Sequence, residues 1–264
     1  MKEQLITPYG GFKVDKNELY KLFVLIYNNP KFKKKELLLE SGFGDNKIEN
    51  LKYYLKHFYL LDKNYQPTEL AKVIYTNDKY FEDEFTLWVL FYQWSNRISN
   101  PFLYYQLNES FGSKTKEELR KDFSAWAIMN DIKIDYKKDF LGGLISITLK
   151  SFSDSDAFKH LNIYKIQNEK YFRDNPYKIN SFLVAYVLYE NRQNRTTITI
   201  NELLKEPNNI GRFFNLDKEL ILQQIYSLRD IGLVEYIQTA NLQHIVFTYQ
   251  DSNLKLLERY YEQY

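Results

Sequence analysis

The sequence predicts a mainly α (α+β) chain, a helical bundle core flanked by two winged-helix-like units with short β-hairpins. Three observations predict it. Residues 34–70 give helix, sharp turn, helix and hairpin signals in succession. Residues 84–96 are apolar nearly all round. The last third repeats the opening scheme of helices followed by paired strands. The expected organisation is 1–79 as a winged helix-turn-helix-like unit, 80–178 as helical core and linker, and 179–264 as a second winged-helix-like unit.

In the first unit, Leu19, Phe23 and Ile26 share one side of a helix over 16–28, which Pro30 closes. Leu37, Leu38 and Leu39 carry the next helix, and Ser41-Gly42 ends it. Gly44 lets the chain turn, because glycine tolerates positive φ. Asp45 is the expected N-cap of a helix running from about Asn46 to Phe58. Leu60-Leu61, Asp62-Lys63-Asn64 and Tyr65-Gln66-Pro67 read as a small hairpin with a polar tip. Residues 68–76 form a further helix.

The middle region is led by 84–96, whose all-round apolar character marks a buried helix. Thr115 caps a helix over about 116–130, with Glu118 as its capping-box partner. Residues 140–150 read as strand or helix, since Gly142-Gly143 weakens either assignment. Residues 151–178 read as loop or linker with some local order. In the last third, 180–191 form a helix, and 198–206 carry a short strand and a helix broken by Pro207-Asn208-Asn209. A helix over 217–230 ends at Gly232, the common C′ residue. Residues 233–249 are two strands around Thr239-Ala240-Asn241, and a helix spans 254–263.

The helix at 46–58 is the candidate DNA reader. Ile48, Leu51, Leu55 and Phe58 form its inward stripe at three- and four-residue spacing. The opposite face presents Asn46, Glu49, Asn50, Tyr53, Lys56 and His57, flanked by Lys47 and Lys52. Asparagine reads adenine bidentately, lysine meets guanine or phosphate, and tyrosine bonds phosphate. The candidate contacts are therefore Asn46, Lys47, Asn50, Lys52, Tyr53 and Lys56. The competing reading is a packing or dimerisation face. The corresponding helix at 217–230 shows Glu219, Gln223, Tyr226 and Asp230 outward. That acidic face repels phosphate and suits a protein contact better. Arg212 just before it is a further candidate phosphate contact, with a salt bridge or carbonyl contact as the alternative.

Composition narrows the chemistry. The formal net charge is only +2. Residues 1–79, however, hold 14 lysines against 10 acidic residues, which places a basic excess on the candidate DNA-binding unit. The chain has no cysteine, which excludes a thiol nucleophile, a persulfide carrier and an all-cysteine metal site. Its three histidines, His57, His160 and His244, are too dispersed for a histidine-rich centre. No run reaches membrane-spanning length, and the start MKEQLITPYGGF has no apolar signal core, so a cytoplasmic protein without membrane contact is expected. No phosphate-binding glycine loop or zinc-protease motif occurs. Asp131, Asp135 and Lys137 outline the acid–acid-x-lysine order of metal-dependent nucleases at shortened spacing; a solvated charged turn competes. Asp78, Glu82, Asp83 and Glu84 cluster before the core helix. Carboxylates there either hold Mg²⁺ or cap the helix start. With 24 tyrosines, no single one stands out as a nucleophile.

Three stretches carry a family resemblance. They are GFGDNKIENLKYYL (42–55), DEFTLWVLFYQWSNRISNPFLYYQLNESF (83–111) and NNIGRFFNLDKELILQQIYSLRDIGLVEYIQTANLQHIVF (208–247). Together they resemble a bacterial domain-of-unknown-function family, number four-thousand-seven, across most of the chain. One departure is TPYGGF at 7–12, where the family's amino-terminal motif carries a histidine and this chain has none.

The resemblance implies a setting beside DNA phosphorothioate modification genes, with a cysteine desulfurase, an ATPase and a sulfurtransferase-like protein as partners. It also implies similarity to the DNA-nicking component of the single-strand version of that system (Ssp). The expectation is a DNA-binding subunit of a phosphorothioation or defence system with a metal-dependent nicking activity. Mg²⁺ is the implied ion, and no catalytic residue carries over. The alternative is a non-enzymatic winged-helix transcription regulator or protein-assembly adaptor. Homodimerisation is left open.

Overall fold

The computed structural model describes residues 11–132, 140–174, 178–239 and 242–263. The chain forms two compact units. The first comprises Met1–Gln106 with Ser110–Asp174, and the second Leu107–Glu109 with Asn175–Tyr264.

The first unit begins with α1 (Lys16–Asn28), started by the Asp15 carboxylate, which accepts the Asn17 and Glu18 N–H groups. Next come α2 (Lys34–Ser41), α3 (Asp45–His57) and α4 (Glu69–Asp78). Gly42 ends α2 at φ 69°, a left-handed value that costs glycine nothing. Of the three leucines assigned to α2, only Leu37 is buried; Leu39 is 79% exposed. The chain continues as α5 (Glu84–Trp94), α6 (Pro101–Asn108), β1 (Lys114–Thr115), α7 (Lys116–Met129) and α8 (Phe140–Ser151). The expected capping box holds α7: Thr115 accepts the Glu118 N–H and Glu118 accepts the Thr115 N–H. Residues 140–150 are helix.

The core is aromatic. Trp94 of α5 is fully buried, with ring centroids of Tyr54, Phe58, Phe152 and Phe158 within 5.8–6.1 Å. Each such pair adds about 0.5–1.5 kcal/mol beyond area burial. This cluster packs Tyr54 of α3 against the C-terminal end of α5.

Residues 151–174 are more ordered than expected. They contain a 3₁₀ turn (Lys159–Leu161) and a hairpin of β2 (Tyr164–Gln167) and β3 (Lys170–Arg173). With β1 they make an antiparallel sheet ordered β1-β3-β2, pairing Lys114 with Tyr171 and Tyr164 with Arg173.

The second unit runs α9 (Ser181–Glu190), β4 (Thr197–Thr199), α10 (Ile200–Lys205), α11 (Ile210–Phe214), α12 (Lys218–Asp230), β5 (Val234–Gln238), β6 (Gln243–Phe247) and α13 (Asn253–Tyr261). The sheet order is β4-β6-β5, antiparallel throughout. Asn180 caps α9 and Asp217 caps α12. Tyr189 ties α9 to the strands: its hydroxyl donates to the Leu233 carbonyl at 2.5 Å and accepts the Tyr249 N–H at 3.0 Å. The short α11 follows the Pro207-Asn208-Asn209 break, where only an ending was expected. No helix among the described residues is long and apolar enough to cross a membrane.

Candidate nucleic-acid interface

Helix α3 starts one residue earlier than expected. Gly44 occupies the N-cap, and Asp45 is the first helical residue, making no cap of its own. Ile48, Leu51, Leu55 and Phe58 point inward as the spacing predicts. Tyr54 joins them, fully buried, its hydroxyl donating to the Phe12 carbonyl at 2.8 Å. The segment before α1 therefore lies along one flank of α3 and narrows its open face.

The N-terminal half of α3 corrects the sequence reading. Asn50 is buried, its amide donating to the Asn46 carbonyl at 2.9 Å, so it does not face outward. Lys47 pairs with Glu18 at 2.7 Å and lies 4.4 Å from the Phe12 ring. Asn46 is exposed, but its open neighbours are Asp45 and Glu49, which share Lys34 at 2.6 and 3.1 Å. This end carries no spare positive charge for a phosphate.

The C-terminal half differs. The Lys52 and Lys56 ammonium groups lie 4.1 and 5.8 Å from the Tyr65 ring centroid. Tyr65 sits in the turn after α3, where the expected hairpin is reduced to a single bridge between Leu61 and Pro67. Asp62 organises that turn: one carboxylate oxygen accepts the Asn64 and Gln66 N–H groups, both at 2.8 Å. The Gln66 side chain donates to the Pro30 carbonyl at 3.3 Å, setting the turn beside Lys31. Lys31 and Lys63 are exposed. Among the described residues, Lys31, Lys52, Lys56 and Lys63 have no carboxylate partner, in contrast to Lys34 and Lys47. The last turn of a helix also favours cations, because carbonyl dipoles point there.

Two more groups line this end. The Tyr53 and His57 rings are 3.9 Å apart. Burial pushes the Tyr53 hydroxyl well above the usual tyrosine range, so it remains a donor. Burial, with the Lys56 charge, lowers His57 to about 4, only partly offset by a hydrogen bond with the Ser99 backbone. At neutral pH His57 therefore adds no charge to the patch. An unfolded His57 takes a proton near pH 6.5 and the folded one near 4, so its contribution is complete above 6.5 and is lost as pH falls through 4. Between pH 7 and pH 5, about 2 kcal/mol of stability disappears through this residue. Urea unfolding of wild type and His57→Asn at both pH values tests it: the variant loses less on acidification. An identical loss in both proteins refutes the assignment.

A family model described as "Protein of unknown function (DUF4007)" matches residues 10–261. The chain belongs to this DUF4007 family. Its fold is similar to SspB in two crystal structures, one of them magnesium-ion-bound. Each gives a TM-score of 0.79 at 16% identity, covering 97% of this chain and 87% of that one. No functionally curated protein matches.

For this DUF4007 chain, magnesium needs carboxylates that are free to ligate. The Asp78 cluster does not fit. One Asp78 oxygen accepts the Glu82 N–H and the other the Asp83 N–H, while Asp83 accepts the Phe85 N–H as the α5 cap. Glu84 accepts the Trp88 indole N–H at 3.3 Å. These carboxylates start a helix. Asp135 and Lys137 lie outside the described residues, and Asp131 is exposed at φ 56°. Among the described residues, no group of three potential metal ligands converges. A cleft of about 620 Å³ between α7 and α8 has Glu117 as its one acidic lining residue. Another of about 550 Å³, between α10, α12 and the β5–β6 end, is lined by no acid. Arg212, in the second unit, donates to the Lys205 carbonyl at 3.4 Å, a carbonyl contact that was the expected alternative. Glu219, Gln223, Tyr226 and Asp230 are exposed on α12.

Of the candidate contacts, Lys52, Tyr53 and Lys56 come together. Asn46, Lys47 and Asn50 do not join them. Tyr65, Lys63 and Lys31, which were not among the candidates, lie beside them. The LLDKNYQP turn carries Lys63 and Tyr65, whereas Lys31 lies outside it and is brought near by the Gln66–Pro30 hydrogen bond.

Proposed function

We propose that this protein is a DNA-binding subunit of a bacterial DNA phosphorothioate modification or defence system. It docks on the duplex backbone through Lys31, Lys52, Lys56 and Lys63. The observation that carries the reading is that these four lysines surround one turn and meet no carboxylate among the described residues, while Lys34 and Lys47 at the other end of α3 are neutralised. Unneutralised ammonium groups release counterions from phosphates on binding. The family resemblance and the SspB-like fold support the setting. A cysteine desulfurase, an ATPase and a sulfurtransferase-like protein are the partners that setting implies, and sulfur transfer belongs to them because this chain has no thiol.

Nicking is the activity the resemblance adds, and no step is assigned to residues here. Supercoiled plasmid incubated with the protein in Mg²⁺ or chelator, then run on agarose, tests both parts. Retardation at low salt that disappears as salt rises is the expected result. Mg²⁺-dependent open circles assign nicking to this chain, whereas retarded but intact plasmid moves the chemistry to a partner. Unshifted plasmid at low salt refutes DNA binding. A second reading, a protein-assembly adaptor, is favoured by exposed Tyr226, Ile231, Ile237 and Leu242 in the second unit; it predicts a co-purifying partner and no DNA affinity.

A further inference from the structure

Tyr65 breaks a local rule. The turn closes with the Tyr65 N–H donating to the Asp62 carbonyl at 3.0 Å and the Asp62 N–H donating to the Gln66 carbonyl at 2.9 Å. Tyr65 then takes φ 60°, the left-handed slot that follows such a turn. Glycine or asparagine fills that slot without strain. The asparagine here stands one position earlier, at Asn64, and a bulky aromatic holds the strained place. Strain kept by a side chain that local preference disfavours points to a job for that side chain.

The ring's contacts say what the job is. Tyr65 stands under the Lys52 ammonium and near that of Lys56. An aromatic face holds an ammonium group by its quadrupole and leaves the positive charge uncancelled. A carboxylate in the same place, as Glu18 is for Lys47, would cancel it. The two lysines lie one helical turn apart and share one platform. We infer that Tyr65 is a positioning residue: held in a left-handed turn, its ring aims Lys52 and Lys56 as an unneutralised pair at a phosphodiester backbone. This rests on the DNA-binding reading above and adds the device that presents the charge.

The test uses the full chain with Tyr65→Phe and Tyr65→Asn. Phenylalanine keeps the ring; asparagine keeps the turn and relieves its strain. Binding to a labelled duplex is measured by anisotropy across a salt series. Tyr65→Phe is expected to bind within about twofold of wild type, and Tyr65→Asn about two- to fivefold more weakly. Tyr65→Asn is also expected to show a shallower salt slope and a melting temperature at or above wild type. Proton spectra supply a readout independent of DNA. The Lys52 side-chain methylenes are ring-current shifted in wild type and Tyr65→Phe, and unshifted in Tyr65→Asn. Three results overturn the inference: wild-type affinity in Tyr65→Asn, a loss in Tyr65→Phe as large as in Tyr65→Asn, or no ring-current shift in wild type. Shifted lysine signals in a wild type that binds no duplex overturn the DNA-binding reading instead, and the phosphate role with it.

Discussion

Replacing Lys52, Lys56 and Lys63 together by alanine is expected to weaken duplex binding on the order of 10²-fold at low salt. The slope of log affinity against log salt should flatten by about 2.7, since each lost phosphate contact removes about 0.9. These ammonium groups meet no carboxylate among the described residues, and two of them rest against an aromatic ring that leaves their charge intact. Removing them takes charge from the patch and, among the described residues, no ion pair from the fold. The Lys47–Glu18 ion pair is the control, since its two charges already cancel. Alanine at both residues removes no net charge and should leave DNA affinity and salt slope nearly unchanged. If the control pair costs as much as the triple change, phosphate contact lies along the whole of α3, and the assignment to its C-terminal end is wrong.

The contrast between the two ends of α3 shows what a sequence reveals and what it hides. The inward stripe Ile48-Leu51-Leu55-Phe58 was legible because helical spacing is a local property. So were the Thr115–Glu118 capping box, the all-round apolar α5 and the Asp217-to-Gly232 limits of α12. The open face of α3 was not, because it is set by distant contacts. Tyr54 is buried through a hydrogen bond to Phe12, 42 positions away, and Lys47 is neutralised by Glu18, 29 positions away. No periodicity reports such pairings. The sheet β1-β3-β2 was hidden for another reason. Its strands YKIQ and KYFR are only four residues long and neither holds a buried residue, so they are too short for a clear periodic signal. The five-residue α11 is too short for a periodic signal, and the preceding Pro207-Asn208-Asn209 reads as an end although Asn209 caps a new start.

Gly211→Ala is expected to cost about 3 kcal/mol, although alanine ordinarily suits a helix better than glycine. Gly211 is buried in α11, between fully buried Ile210 and Phe213. A Cβ there would lie 2.6 Å from the Leu203 carbonyl oxygen, 2.6 Å from the Leu204 Cα and 2.8 Å from the Leu204 carbonyl oxygen. All three atoms are backbone, so no side-chain rotation relieves the overlap. Helix α11 would have to lift from α10, drawing Phe213 and Phe214 out of contact. Alanine's helix preference over glycine returns only about 1 kcal/mol, so the steric term decides the sign. The opposite case is Gly143 in α8, where a Cβ meets nothing within 4 Å. Gly143→Ala should therefore stabilise the chain by about 0.5–1 kcal/mol. Urea unfolding of the two variants beside wild type reads both signs at once. A Gly211→Ala protein with the wild-type midpoint would mean that α10 and α11 do not approach this closely. The lysine patch around Tyr65 belongs to the other unit. Duplex binding measured well below the melting temperature should therefore survive the Gly211 change, separating loss of stability from loss of function.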